Sequence, residues 1–247
     1  MKSDSNWYII ASVIITILVI FLPIYPTRSA QEEKTWHYVI IGSSIKTYGW
    51  TEYYGDYIET DLGVTIVSHS YYVVSQRASG LLKNLRNKEE LMNDIMNAEV
   101  ITIGVGFADM KQAILIYGAG GSNQPHRINE ELKTFRETYD AIPTEILSLR
   151  SPNTIIRVMD FYCPYVQSHK DYGIYEDTKR YWMEFNKCIV EVAEKHGIPV
   201  AQVFQAMNGP HGEDDPNAQG YLSFDGKHLS DKGFQVVANL FRELGYG

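Results

Sequence analysis

Two short stretches of the chain carry side chains whose types and spacing suit a common chemistry. Gly42-Ser43-Ser44-Ile45 follows the short apolar run of residues 37–42, and Asp225-Gly226-Lys227-His228-Leu229 lies just ahead of the last helical pattern. A serine at a strand-to-helix turn is exposed, and its own amide N–H can face the same site. A histidine three residues after an aspartate in one loop can reach such a serine while the aspartate orients its ring. The chemistry is acyl transfer, with Ser44 as nucleophile, His228 as general base and Asp225 as the group that holds the imidazole. Each piece alone reads more readily as an ordinary turn serine or a surface loop histidine. It is their order and their place in the chain that join them.

The elements that would position these residues alternate. Apolar strand patterns cover residues 37–42, 64–72, 100–106, 154–162 and 200–204. Helical patterns cover 51–62, 79–86, 88–98, 128–149, 175–196 and 230–244, with a kink or break expected at Pro143 and Ser230 suited to be an N-cap. Parallel strands joined by helices of this length make a doubly wound α/β sandwich with a five-stranded parallel sheet between two helical layers. In such sheets ligands sit outside the C-terminal strand ends, where Ser44 lies.

This arrangement resembles the SGNH, or GDSL-type, hydrolase family of esterases and acylhydrolases, from Tyr38 to about Tyr246. The resemblance implies a flavodoxin-like three-layer α/β/α fold, and it places the family's nucleophile at Ser44. The family's Asp-x-x-His block falls on Asp225 and His228, within Asp225-Gly-Lys-His-Leu-Ser-Asp-Lys-Gly233. For the oxyanion hole it implies the amides of Ser44 and Ser75, Ser75 standing where the family has glycine; Gly80 aligns less well. In the family's Gly-x-Asn-Asp block this chain reads Gly106-Phe107-Ala108-Asp109, so Ala108 replaces the asparagine donor, and Ser43 replaces the aspartate before the nucleophile. Losing one oxyanion donor typically slows turnover about 10²–10³-fold. A replacement could come from Ser75, Gln76, Arg77 or the loop 118–123. The implied function is ester hydrolysis; the alternative is a weak or inactive module of the same fold that binds a glycan or lipid.

The remaining features narrow the function. With 22 Lys+Arg against 30 Asp+Glu, the net charge of −8 argues against nucleic acid as a partner. Cys163 and Cys188 can make at most one internal disulfide, and no histidine spacing suits a metal, so neither metal nor cofactor is expected. Gly118-Ala-Gly-Gly121 lacks the Lys-Ser/Thr of a phosphate loop, and Lys46 two residues after Ser44 excludes Gly-x-Ser-x-Gly. The acidic run 213–215 reads as a solvated loop. Tyr48 and Trp50, in the aromatic group with Tyr53 and Tyr54, read either as a wall of the substrate pocket or as helix packing.

Residues 7–22 are uncharged and apolar. Their length falls between a cleaved signal and the roughly 20 residues needed to span a bilayer. Residues 1–30 are therefore expected to be a signal peptide or a membrane anchor through residues 7–25, with residues 31–247 forming the hydrolase-like domain outside the cytoplasm. The oligomeric state has no sequence signal.

Overall fold

The computed structural model describes residues 34–42, 49–118 and 125–247. The expected signal or anchor, together with Ser43, Ser44 and Tyr48, lies outside the described residues. No described helix is long and apolar enough to cross a membrane. Five strands, β1 (Thr35–Gly42), β2 (Thr65–Tyr72), β3 (Val100–Gly104), β4 (Ile155–Met159) and β5 (Val200–Ala201), form one sheet in the order β2-β1-β3-β4-β5, every pair parallel. Among the helices, α1 (Gly49–Leu62) joins β1 to β2, and α2 (Ala78–Asn87) with α3 (Glu89–Asn97) joins β2 to β3. Then come α4 (Phe107–Gly118) and α5 (Pro125–Leu149) before β4, and α6 (Val166–Asp171) and α7 (Tyr175–Lys195) before β5. Two more, α8 (Val203–Asn208) and α9 (Asp231–Glu243), follow it.

The expected parallel α/β architecture is the observed one. The chain first steps from β1 outward to β2, then reverses past β1 to β3, β4 and β5. With right-handed crossovers, that reversal puts α1 on the opposite face from the helices of the later crossovers. Packing follows this division. On one face α9 lies against α1, with the Trp50 ring stacked on Phe241 at a centroid distance of 4.4 Å and Tyr54 edge-on to Tyr38 of β1. On the other face Phe135 of α5 meets Phe185 of α7 at 5.0 Å, and α5 also packs on α2 and α4. The reversal between β1 and β3 marks the crevice at the C-terminal strand ends. Register aligns those ends, since Gly42 pairs with both Tyr72 and Gly104.

Two local expectations need adjusting. Helix α5 runs unbroken through Pro143, because Phe135, Tyr139, Ile142 and Ile146 on one stripe are buried and outweigh the roughly 3 kcal/mol that an interior proline costs. The last strand stops at Ala201 rather than Phe204, because the buried Asp160 after β4 accepts the Phe204 N–H at 2.9 Å and so starts α8. Cys163 and Cys188 are both free and buried. Ser230 does cap α9, its Oγ accepting from the Gly233 N–H at 3.2 Å.

Candidate active site

The best-defined part of the site is the loop between α8 and α9. Gly226 at φ +62 lets the chain fold back after Asp225, with the Gly226 N–H donating to Ser223 O at 2.9 Å. The reversal brings the His228 ring to the Asp225 carboxylate, Nδ1 to Oδ2 at 2.5 Å. The other carboxylate oxygen accepts from the Ser223 hydroxyl (2.8 Å) and from the N–H groups of Lys227 (3.0 Å) and His228 (2.9 Å). The hydrogen bond from the His228 ring, reinforced by the His228 N–H, holds the Asp225 carboxyl well below the usual carboxylate range. The loop is tied down from the sheet side as well. The hydroxyl of the buried Tyr162, just past β4, donates to Lys227 O at 2.9 Å, and Leu222 pairs with Leu229 across the loop's neck.

The second component is the turn after β2. The Val73 N–H donates to Gly42 O at 3.3 Å, so this turn starts beside the point where β1 ends. The Gln76 N–H closes the turn onto Val73 O at 3.0 Å, with Ser75 at φ +56 in its third position. This is the geometry of a type II turn, which requires the left-handed region there and ordinarily takes glycine. Ser75 is the one non-glycine described residue with positive φ. Its N–H donates to nothing among the described residues, which leaves it available to an incoming oxygen.

A buried carboxylate fixes this turn. Asp109 accepts the Ala78 N–H at the start of α2 and the Arg77 Nε–H, both at 3.0 Å. Arg77 also donates to Glu131 of α5 at 2.6 Å. Burial is the largest influence on the Asp109 carboxyl and raises its pKa, against the lowering effect of those donors. Its position follows from Gly106, two residues past β3, whose φ of +136 turns the chain into α4. A Cβ there would press on Ile189 and Phe135 at 3.3 Å.

The predicted residues thus divide. Asp225 and His228 are brought together, and Ser75 presents a free amide. Trp50, read as a possible pocket wall, is instead a core residue: it is 1% exposed and stacked on Phe241, so its faces are occupied by protein. Tyr54 is likewise buried, and Tyr53 reaches α9 by donating to Asp231 at 2.5 Å, so this aromatic group joins α1 to the helix that follows His228. Of the alternative oxyanion donors, Arg77 is committed to Asp109 and Glu131. Gln76 is buried, its Oε1 without a partner. Tyr162, Ser223 and Asp109 were not read from sequence as part of the site. Only Asp109 had a signal, as the last residue of the Gly106–Asp109 block.

The sequence matches the family model described as GDSL-like Lipase/Acylhydrolase over residues 34–241. It is similar to the spore germination lipase LipC of Bacillus licheniformis, at 21% identity over 210 residues, which cover 84% of this chain and 91% of that protein. The lipase Lip_vut3 from a goat rumen metagenome has the same fold, with a TM-score of 0.71 at 20% identity over 86% of this chain and 98% of that one. So does a lipase/acylhydrolase from Enterococcus faecalis, with a TM-score of 0.58 at 16% identity over 86% and 96% of the two chains.

Proposed function

The chain belongs to the GDSL-like lipase/acylhydrolase family, and from that premise we propose that it is a serine ester hydrolase working through Ser44, His228 and Asp225. The observation that carries the reading is the Asp225–His228 pair. With Nδ1–H donated to a carboxylate that stays ionised, the imidazole keeps Nε2 as its free base. In the first half-reaction Ser44 Oγ attacks the ester carbonyl and His228 takes its proton. The negative charge on the carbonyl oxygen is received by the amides of Ser44 and Ser75, and the alcohol leaves with the proton returned from His228. In the second, water attacks the acyl-serine with His228 again as base, and the acid is released. The test is fluorophosphonate labelling with hydrolysis of 4-nitrophenyl acetate. Labelling and turnover are both expected to vanish in Ser44→Ala, and full activity in that variant would end the assignment.

Ala108 favours a second reading, a weak or inactive binding module, because a methyl group donates nothing where the family has an asparagine. Ala108→Asn separates the two. In a competent site the added donor raises turnover by about 10–100-fold. No hydrolysis by either protein favours the module. We further propose that residues 7–25 direct export of the domain from the cytoplasm, with the domain either released by cleavage near residue 30 or held at the membrane. Fractionation with N-terminal sequencing tests this, and intact chain in the soluble cytoplasm would overturn it.

A further inference from the structure

A cavity of about 290 Å³ opens on the edge of the sheet, between the C-terminal half of β2, α2 and the start of α3. It adjoins the proposed oxyanion turn directly, since Val73 and Gln76, on either side of Ser75, both line it. Its volume is at the low end of the roughly 300–1,000 Å³ usual for ligand pockets, the size of one small ring rather than of a long chain.

The walls are polar, and part of them is fixed in advance. Asp94 Oδ2 accepts from the Tyr71 hydroxyl at 2.6 Å and from His69 Nδ1 at 2.9 Å. His69 Nε2 in turn meets His37 Nδ1 of β1 at 2.9 Å, with a single proton between the rings. These bonds hold the His69 and Tyr71 rings without using up the pocket's capacity. Asp94 Oδ1 and the side-chain ends of Asn84, Lys88 and Glu90 have no hydrogen bond or ion pair among the described residues. The buried Gln76 Oε1 has none either. Donors and acceptors therefore stand side by side, the pattern that hydroxyl groups, which both donate and accept, can satisfy. An alkyl chain would strip water from these groups and leave them unpaired. A phosphate would face the carboxylates of Glu90 and Asp94. Tyr71, whose ring lies on the pocket face of β2, adds a planar face of the kind that covers the C–H face of a sugar.

Resting on the serine hydrolase reading, we propose that this pocket is a subsite for the sugar ring of an O-acylated carbohydrate, whose ester would then lie at the Ser75 turn. The test uses the full chain in detergent and two readouts. The first is saturation-transfer NMR of the Ser44→Ala protein with methyl glycosides of glucose, N-acetylglucosamine and xylose. Saturable binding of at least one is expected, weakened at least tenfold by Asn84→Ala. The second is the ratio of kcat/KM on the mono-O-acetyl esters of these glycosides, at O6 for the two hexosides and at O4 for the xyloside, to that on 4-nitrophenyl acetate, expected for at least one of them to fall at least tenfold in Asn84→Ala and in the exposed-site variant Lys88→Ala. Glycoside binding that depends on Asn84, in a parent that hydrolyses nothing, supports the subsite and sinks only the esterase reading. Hydrolysis abolished by Ser44→Ala, with no glycoside bound and ratios within twofold of the parent, overturns the subsite and leaves the esterase standing. Binding of phosphocholine in place of every glycoside also overturns it.

Discussion

Asp225 gathers four donors on one carboxylate, from the His228 ring, the N–H groups of His228 and Lys227, and the Ser223 hydroxyl. Because its pKa is depressed, the pair stays in its charge-oriented form throughout the acidic range in which an imidazole titrates. Protonation of Asp225 is therefore not expected to set the acid limb of kcat/KM. Asp225→Asn is expected to lower kcat by roughly 10³–10⁴-fold, because an amide can no longer enforce the tautomer with a free Nε2. Steady-state rates across pH check both points, and a variant within tenfold of the parent would contradict them. Ser75 bears a different load. A left-handed serine costs roughly 1–2 kcal/mol, whereas glycine there gives back about 0.5–1 kcal/mol through the looser unfolded chain. Ser75→Gly is thus expected to stabilise the fold by about 0.5–1 kcal/mol, raising Tm by roughly 1–4 °C. A fall in Tm by calorimetry would show that the turn is not strained.

At the level of elements, two aspartates start two helices near the sheet's C-terminal edge: Asp109 at α2 and Asp160 at α8. Burial lifts the Asp160 carboxyl to about 6, against the lowering effect of the Phe204 and Val203 N–H groups. The sign of the linkage follows. The folded state holds this proton more tightly than the unfolded chain, whose value is near 3.8, so the contribution is full below about pH 4 and is lost as pH rises through 6. Over that interval it amounts to about 2–3 kcal/mol. Asp160→Asn keeps an oxygen for the Phe204 N–H and removes the titration. Urea unfolding at pH 4 and pH 7 is expected to show the parent losing about 2 kcal/mol relative to this variant on going to the higher pH. A difference that does not change with pH would refute the assignment.

The whole molecule is organised by the reversal of strand order at β1. That reversal sets the C-terminal ends of β2, β1 and β3 side by side, so that the turn after β2, which carries Ser75, and the first turn of α4, which carries Asp109, lie along one edge. The Asp225–His228 loop closes over the same edge by way of Tyr162. Residues 34–247 cluster as a compact unit with their own core. A chain beginning at residue 34 is expected to unfold in one cooperative transition and to keep the hydrolysis of 4-nitrophenyl acetate. Loss of the transition by far-UV circular dichroism would mean that residues 1–33 contribute to the fold.

Local chain properties were enough to make the fold readable. Runs such as Tyr38–Ile41 are apolar on both faces because a parallel strand is covered on both, and Asp225 and His228 lie three residues apart, so their pairing needs only a turn at Gly226. What depended on distant packing stayed hidden. Trp50 could serve a pocket or a core by its residue type, and the arrival of Phe241, nearly 200 residues later, made it core. Helix α5 survives Pro143 because of its tertiary contacts, and α8 begins at Val203 because Asp160, some 40 residues earlier, is buried against its first turn. The left-handed serine at position 75 is held by a carboxylate from the next crossover. Hydrophobic periodicity and short loops are written in neighbouring residues, whereas burial and long-range hydrogen bonds exist only once the sheet has ordered its strands.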